Sequence, residues 1–246
     1  MTLLVTTSWD DGHPLDRRLA ERLSHHGIGA TFYCPVTNRE GLPTMGSADW
    51  RALAAAGFEI GGHTHDHAYA SRTAPQAWAE QVRRGKAVLE DALGAPVPGF
   101  AYPGGEHGAA AREAVRASGH AYARTIDNLH GDCGPDAFRM PTTLQVYPHP
   151  RDVLARNYVR RGQWRQRAPL ARLALAHATL DARLDALLAH GLAHGGVLHV
   201  WGHSWEIEQC GLWAPLECCL SRIAAAVPRE RRLTNAGVLQ RAGLIA

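Results

Sequence analysis

Apolar positions along this chain fall into two rhythms. Short runs rich in β-branched and aromatic residues alternate with longer Ala, Leu and Arg segments in which apolar residues recur at helical spacing. That alternation predicts a βαβα order, and hence a parallel sheet or barrel. Strands are expected over residues 3–7, 30–34, 59–62, 99–102, 122–125 and 197–201, most of them followed by Gly, Pro or Asp. Thr73 and Gln76 form a capping-box pattern ahead of a helix running towards Leu93, and Gly94 supplies its C-terminal stop. Residues 170–194 read as one long amphipathic helix, or a pair, against the sheet edge. Residues 126–167 hold no sustained period and several Pro and Gly, which predicts a loop-rich insertion with a short helix near 152–158. Nothing in that stretch marks a boundary and no repeat is visible, so residues 1–246 are expected to form one domain.

Composition narrows the partners. With 46% hydrophobic and 20% charged residues, the 246-residue chain can bury a full core. The 26 basic and 23 acidic residues are interspersed, so there is no basic stripe and nucleic acid is not an expected partner. Five cysteines, Cys34, Cys133, Cys210, Cys218 and Cys219, are odd in number and form no CxxC pair, which argues against a disulfide framework and against a cysteine zinc site. A reducing compartment suits them. The start of the chain lacks a charged leader, its apolar run of Leu3, Leu4 and Val5 is short, and no stretch is long enough to span a membrane. The expected location is therefore cytoplasmic.

Candidate chemistry gathers in four polar clusters, each directly after an apolar run, where the C-terminal ends of parallel strands place active sites. Ser8-Trp9-Asp10-Asp11-Gly12 follows the first strand. Adjacent Asp residues there suit turn chemistry as well as catalysis. Gly61-Gly62-His63-Thr64-His65-Asp66-His67 follows the third. His63 and His67, at i and i+4, face the same way if the segment is one helical turn, and two imidazoles so placed can share a metal. The rival reading is surface histidines in a chain that has fifteen. A catalytic zinc commonly takes three ligands from His and carboxylate, a count that Asp11, His63 and His67 satisfy. His65 and Asp66 alternate with the pair and should point elsewhere. The other two clusters are Phe100 to Gly105 and Val197 to Glu206. In the latter, His203 lies just beyond the strand and His199 within it, which suggests a hydrogen-bonded core histidine at 199.

These residues resemble the polysaccharide deacetylases of carbohydrate esterase family four, also described as the nodulation-type deacetylase domain, over nearly the whole chain. Residues 8 to 12 resemble the family's first motif, which implies that Asp10 is the catalytic base and Asp11 a metal ligand. His63 to His67 are similar to its His-(Ser/Thr)-x-x-His metal motif. The resemblance implies a distorted (β/α) barrel with about seven parallel strands. It also implies that Gly104, after Tyr102 and Pro103, offers its N–H to the oxyanion, that His203 protonates the leaving nitrogen, and that Trp201 walls the acetyl pocket.

Two departures stand out. The third motif normally begins with an Arg that orients the base, and Ala101 stands there; Arg124, after the next strand, is the candidate replacement. The Asp that orients the catalytic His has no counterpart, and Glu206 reads as lying on the wrong side of His203. The activity implied is removal of an acetyl group from an N-acetylated sugar or glycan precursor. One divalent metal is implied, for which two imidazoles and a carboxylate suit zinc, with cobalt, nickel, manganese or iron also compatible. Trp9, Trp201, Trp205 and Tyr102 are available to stack on a sugar. Hydrolysis of a small amide or ureide, and a non-catalytic metal- or sugar-binding relative, are the alternatives.

Overall fold

The structure, a computed structural model, describes residues 2–246. In chain order the elements are β1 (Leu3–Trp9), α1 (Asp16–His26), β2 (Ala30–Cys34), α2 (Ser47–Ala55), β3 (Glu59–Gly62), α3 (Pro75–Leu93), β4 (Gly99–Ala101), α4 (Ala109–Ala117), β5 (Tyr122–Arg124) and β6 (Leu144–Gln145). They continue with α5 (Arg151–Arg160), α6 (Trp164–Ala176), α7 (Leu180–His194), β7 (Gly196–Gly202), α8 (Ser204–Gln209), α9 (Trp213–Ala226), β8 (Arg232–Leu233) and α10 (Asn235–Arg241).

Every strand pair is parallel, in the order β5-β4-β3-β2-β1-β7-β6. The short β8 pairs with the first half of β1 at Val5 and Thr6, while β2 takes the second half from Thr7 onward. Between the two ends of the sheet, residues 140–145 bridge the gap. Met140 pairs with Arg124 of β5, and Leu144 and Gln145 pair with β7. The result is the distorted α/β barrel of parallel strands that the chain's alternation and its family resemblance imply.

Apolar strand residues such as Phe32, Ile60, Leu198 and Val200 pack against Leu19, Leu23, Leu89, Leu184 and Leu220 of the surrounding helices. Strand alternation turns the next residues to the other face. There Tyr33, Tyr122 and Met140 meet Val238 and Leu239 of α10, which lies against β1. A buried polar chain runs through this layer. Asn235 donates to the Tyr33 hydroxyl (2.9 Å), Tyr33 donates to Tyr122 (3.1 Å), and Tyr122 donates to Glu59 (2.6 Å). This satisfied network supports the aromatic ring of Tyr33 beneath the site described below.

Several expectations need adjustment. Strand β1 runs on to Trp9 and β7 to Gly202, while β6 and β8, two residues each, were not anticipated. The capping box at Thr73 and Gln76 does not form. Helix α3 begins with Pro75 at its first turn, a residue preset for that position, and the Thr73 hydroxyl has no partner. Gly94, left-handed at φ 64°, does close the helix. Residues 170–194 fall in two helices because Thr179 caps α7 by accepting from the Ala182 N–H. Helix α7 packs on β7 and β1, well inside the sheet, and not at its edge. No helix among the described residues is long and apolar enough to cross a membrane.

Candidate active site

Strand β1 ends by delivering two carboxylates with different surroundings. Asp10 is buried and accepts an ion pair from Arg124 on its Oδ1. Asp11 adopts a left-handed φ of 75° and Gly12 one of 55°, so the chain turns sharply at the strand end. The turn directs Asp11 towards the histidines. Its Oδ1 lies 3.2 Å from Nε2 of His67 and 3.6 Å from Nε2 of His63, and has no hydrogen-bond partner although buried. Its Oδ2 is held by the indole N–H of Trp205 at 2.9 Å. Burial works against the ionised form of Asp11, yet the close approach of His63 and the charges of His203 and His67 outweigh it. They hold this carboxyl well below the usual carboxylate range.

The two histidines converge by a different route from the helical turn expected of their spacing. Thr64 and His67 both sit at left-handed φ, 63° and 62°, and the Thr64 hydroxyl accepts from the Ala68 N–H at 2.8 Å. Three of the five non-glycine residues with positive φ among the described residues therefore belong to this site, where surrounding contacts must hold them in place. One such contact is helix α3. A Cβ on Gly85 would lie 2.8 Å from the carbonyl carbon and oxygen of Thr64, so glycine is needed for the helix to press on the turn. The glycine pair ahead of the histidines makes room for side chains: a Cβ at Gly61 would strike the Tyr33 ring, and one at Gly62 would crowd Nε2 of His120. Nδ1 of His63 is bonded to the carbonyl of Ala101 at 2.8 Å, which fixes the proton there and turns the Nε2 lone pair to the site. Nδ1 of His67 lies 3.1 Å from Glu40 Oε2. Burial, helped by the neighbouring His63, pushes the His67 pKa down, leaving an imidazole neutral near pH 7 and able to ligate.

His203 leads into α8 after β7. Its Nδ1 is 2.6 Å from Glu206 Oε2, which also accepts from Gln145 at 3.0 Å. The expectation that Glu206 lies on the wrong side is overturned: a first turn of helix returns it to the ring it follows by three residues. Burial disfavours the charged ring, but the bond to Glu206 and the charges of Asp11 and Asp10 raise the His203 pKa to about 9. Nε2 is left facing the site, 3.9 Å from Asp11 Oδ2.

Arg124 is fully buried, with its guanidinium carbon 5.0 Å from the ring centres of both Tyr33 and Trp201. Sandwiched between two aromatic faces, the cation is steered onto Asp10. The candidate replacement for the arginine absent at Ala101 thus reaches the carboxylate it was expected to reach.

Asp10, Asp11, His63, His67, Tyr102, Gly104, Trp201 and His203 all line one cleft of about 340 Å³. Gly104, at φ 62°, packs its Cα side against the Tyr69 ring. Trp205 lines the cleft as well, but its N–H is committed to Asp11. Trp9 does not take part. It is wholly buried in the core, and its indole bonds to Thr7, so it cannot stack on a ligand. His199 is a buried histidine bonded to Ser8 and to the Pro141 carbonyl, with burial and Arg124 pushing its pKa down to about 3. Asp66 forms a bidentate pair with Arg39, and His65 stays outside the cleft. Glu40, Leu42, Tyr69 and Ile126 complete the walls and carry no motif that the sequence could have flagged.

The donor set fits a divalent cation. Asp11, His63 and His67 each bring one ligand atom to within 4.8 Å of the others, and all three residues are buried. An unpartnered carboxylate oxygen facing two imidazole nitrogens is the arrangement expected of a metal site with open positions.

Residues 3–123 match the family model described as polysaccharide deacetylase. That segment belongs to the polysaccharide deacetylase family. Solved structures share its fold across most of their length. A family 4 carbohydrate esterase from Streptomyces lividans, in complex with acetate, is 14% identical with a TM-score of 0.53, over 92% of this chain and 86% of that one. A family 4 acetyl xylan esterase from Clostridium thermocellum, solved with a cobalt ion, is 15% identical with a TM-score of 0.58, over 98% and 92%. The family 4 domain of a multidomain xylanase from the hindgut metagenome of Trinervitermes trinervoides is 10% identical with a TM-score of 0.57, over 99% and 92%. No curated protein matches this chain by sequence.

Proposed function

We propose that the protein is a metal-dependent deacetylase that hydrolyses the N-acetyl group of a sugar or glycan precursor. The observation that carries the reading is the divided role of Asp11: Trp205 occupies one carboxylate oxygen and leaves the other, buried and unpartnered, in front of His63 and His67. Asp11, His63 and His67 would hold a divalent ion, zinc by the chemistry of the donors, which would supply Lewis acidity to the acyl oxygen and to water.

The remaining roles belong to side chains of the chain itself. Asp10 accepts the proton of the attacking water, held in aim by Arg124 through Oδ1. Gly104 offers its backbone N–H at the cleft wall where negative charge develops on the acyl oxygen. His203, protonated at neutral pH and pinned at Nδ1 by Glu206, delivers a proton from Nε2 to the leaving nitrogen. Trp201 forms a flat apolar wall suited to a methyl group, and Tyr102 stands across the cleft with its hydroxyl tied to the Phe138 carbonyl.

The test pairs metal analysis with acetate release from N-acetylhexosamine conjugates, ureides and small amides. Expected are one bound divalent ion, chelator-sensitive acetate release from the sugars alone, and recovery on adding metal. Asp10→Asn should keep the ion and lose turnover, whereas His63→Ala should lose both. Wild-type rates from metal-replete Asp10→Asn would overturn the mechanism, and turnover of ureides but not sugars would overturn the substrate class.

A further inference from the structure

Beside the catalytic cleft lies a second pocket, of about 410 Å³, lined by His107, Asp127, Arg139, Asn157, Arg160 and Arg161. The two cavities are neighbours along the chain. Ile126 walls the cleft and Asp127, next in sequence and about 3.8 Å further by Cα, walls the pocket. On the other side Gly104 belongs to the cleft and His107 to the pocket, with His107 Nδ1 2.8 Å from the Gly105 carbonyl.

The pocket's charge is unbalanced. Asp127 sits at its centre, with Oδ1 2.9 Å from Arg161, and Oδ2 3.8 Å from Arg139 and 3.4 Å from His107. Three guanidiniums against one carboxylate leave two positive charges uncompensated. Arg160 has no carboxylate partner among the described residues, and Nε of Arg139 is buried without an acceptor. Arg156, one turn before Arg160 on α5, adds a further cation at i,i+4 to Arg160. A purely structural ion-pair cluster would need only Arg139, Arg161 and Asp127. The extra guanidiniums, exposed and rich in unused N–H donors, match the several acceptor oxygens of a phosphate better than the two of a carboxylate.

We propose that this basic pocket binds a phosphate or diphosphate carried by the acetylated sugar, making the substrate a sugar phosphate ester and not a neutral glycan. The substrate assignment rests on the deacetylase reading above. The pocket itself does not, because anion binding is measurable without catalysis.

The experiment therefore has two arms. In the first, pyrophosphate is titrated calorimetrically into wild-type protein and into Arg160→Gln and Arg161→Gln. Arg160 is exposed and has no partner to lose, so that variant keeps its fold even if Arg161→Gln does not. Binding should weaken at least tenfold in the variants and fall with ionic strength in the wild type. Equal binding in wild type and variants, or tighter binding of a sugar carboxylate than of pyrophosphate, would overturn the pocket. In the second arm, acetate release is compared for N-acetylglucosamine, its 1-phosphate, a nucleoside diphosphate N-acetyl sugar and a short polyprenyl diphosphate N-acetyl sugar. The wild type should favour phosphorylated over neutral substrate at least tenfold in kcat/KM, with that ratio dropping towards one in Arg160→Gln. The better of the last two substrates identifies the source of the phosphate. A ratio near one in the wild type would overturn the substrate assignment while the deacetylase reading stands. Arginine-dependent pyrophosphate binding with no acetate release from any sugar would instead overturn the deacetylase reading and the substrate assignment with it.

Discussion

Arg124 stands directly opposite Ala101 in the register between β5 and β4, and its guanidinium reaches the carboxylate of Asp10. Side chains at paired positions of neighbouring strands project from the same face of a sheet. An arginine displaced from position 101 to its cross-strand partner therefore arrives in the same space and can do the same work. Removing it alone, as Arg124→Ala, leaves a buried carboxylate unpaired at a cost of about 3–5 kcal/mol. Turnover should fall at least a hundredfold. The double variant Ala101→Arg/Arg124→Ala should recover most of the stability and a large part of kcat, read by urea unfolding and acetate release. If the double variant is no better than the single one, the two positions are not equivalent and the positioning role of Arg124 falls.

Trp205 and Asp11 form a second such relationship. The indole N–H occupies Oδ2 and thereby fixes which oxygen faces the histidines. Trp205→Phe keeps the ring and removes the donor, so the carboxylate gains freedom to rotate. Loss of an outer hydrogen bond of this kind costs about 10–100-fold in metal affinity. Competition with a chelating dye should show that loss, with kcat of the metal-saturated protein much less affected. Unchanged affinity would mean that the histidines alone define the site.

The pH dependence follows from Glu206. With its folded pKa raised to about 9, His203 stays protonated through neutral pH, and activity that requires its proton declines only as the pH rises through that value. Glu206→Gln removes the carboxylate that opposes the cost of burying the charged ring, so the pKa of His203 falls and the alkaline limb of the kcat profile moves to lower pH. The stability effect has the same sign. The pair stabilises the fold fully below the unfolded histidine pKa of about 6.5, and that contribution vanishes as the pH rises through about 9. Wild type and Glu206→Gln should therefore differ in unfolding free energy near pH 6 and converge above pH 9. An alkaline limb that stays in place would remove His203 from the role of acid.

What the sequence could convey differs between parts of the site. Run 30–34 became a strand at its expected bounds because a buried parallel strand needs a mostly apolar stretch and little else, and 59–62 did so with Ile60 as its one large apolar residue. The convergence of Asp11, His63 and His67, the proposed metal site, was legible because these residues stand at strand ends. The turn that joins His63 to His67 was not, because the left-handed backbone at Thr64 and His67 packs against helix α3, distant in sequence, and leaves no mark in the local composition. Glu206 was visible but misplaced: its reach back to His203 depends on α8 starting immediately after β7, a boundary that shifts easily by a residue or two. Glu40 comes from a distant loop and Trp205 resembled a stacking platform, so only three-dimensional proximity reveals one beside His67 and the other on Asp11. The two-residue β6 and β8 are too short for any periodicity to register.

Gly85 offers a test of how far the proposed metal site depends on packing beyond Asp11, His63 and His67. In an exposed helix interior, alanine in place of glycine is favourable by about 1 kcal/mol. Here the added methyl would meet the carbonyl carbon and oxygen of Thr64 at 2.8 Å and the backbone nitrogen of His65 at 3.0 Å. These are backbone atoms that cannot swing aside, so either α3 lifts or the turn between His63 and His67 is displaced. Overpacking of this kind costs about 1–3 kcal/mol, enough to reverse the gain in propensity. Gly85→Ala should therefore be destabilised in urea unfolding. It should also bind metal more weakly, because moving the turn separates Nε2 of His67 from Asp11. A variant that is more stable than wild type and binds metal equally well would show that the strained turn holds itself together without the helix above it.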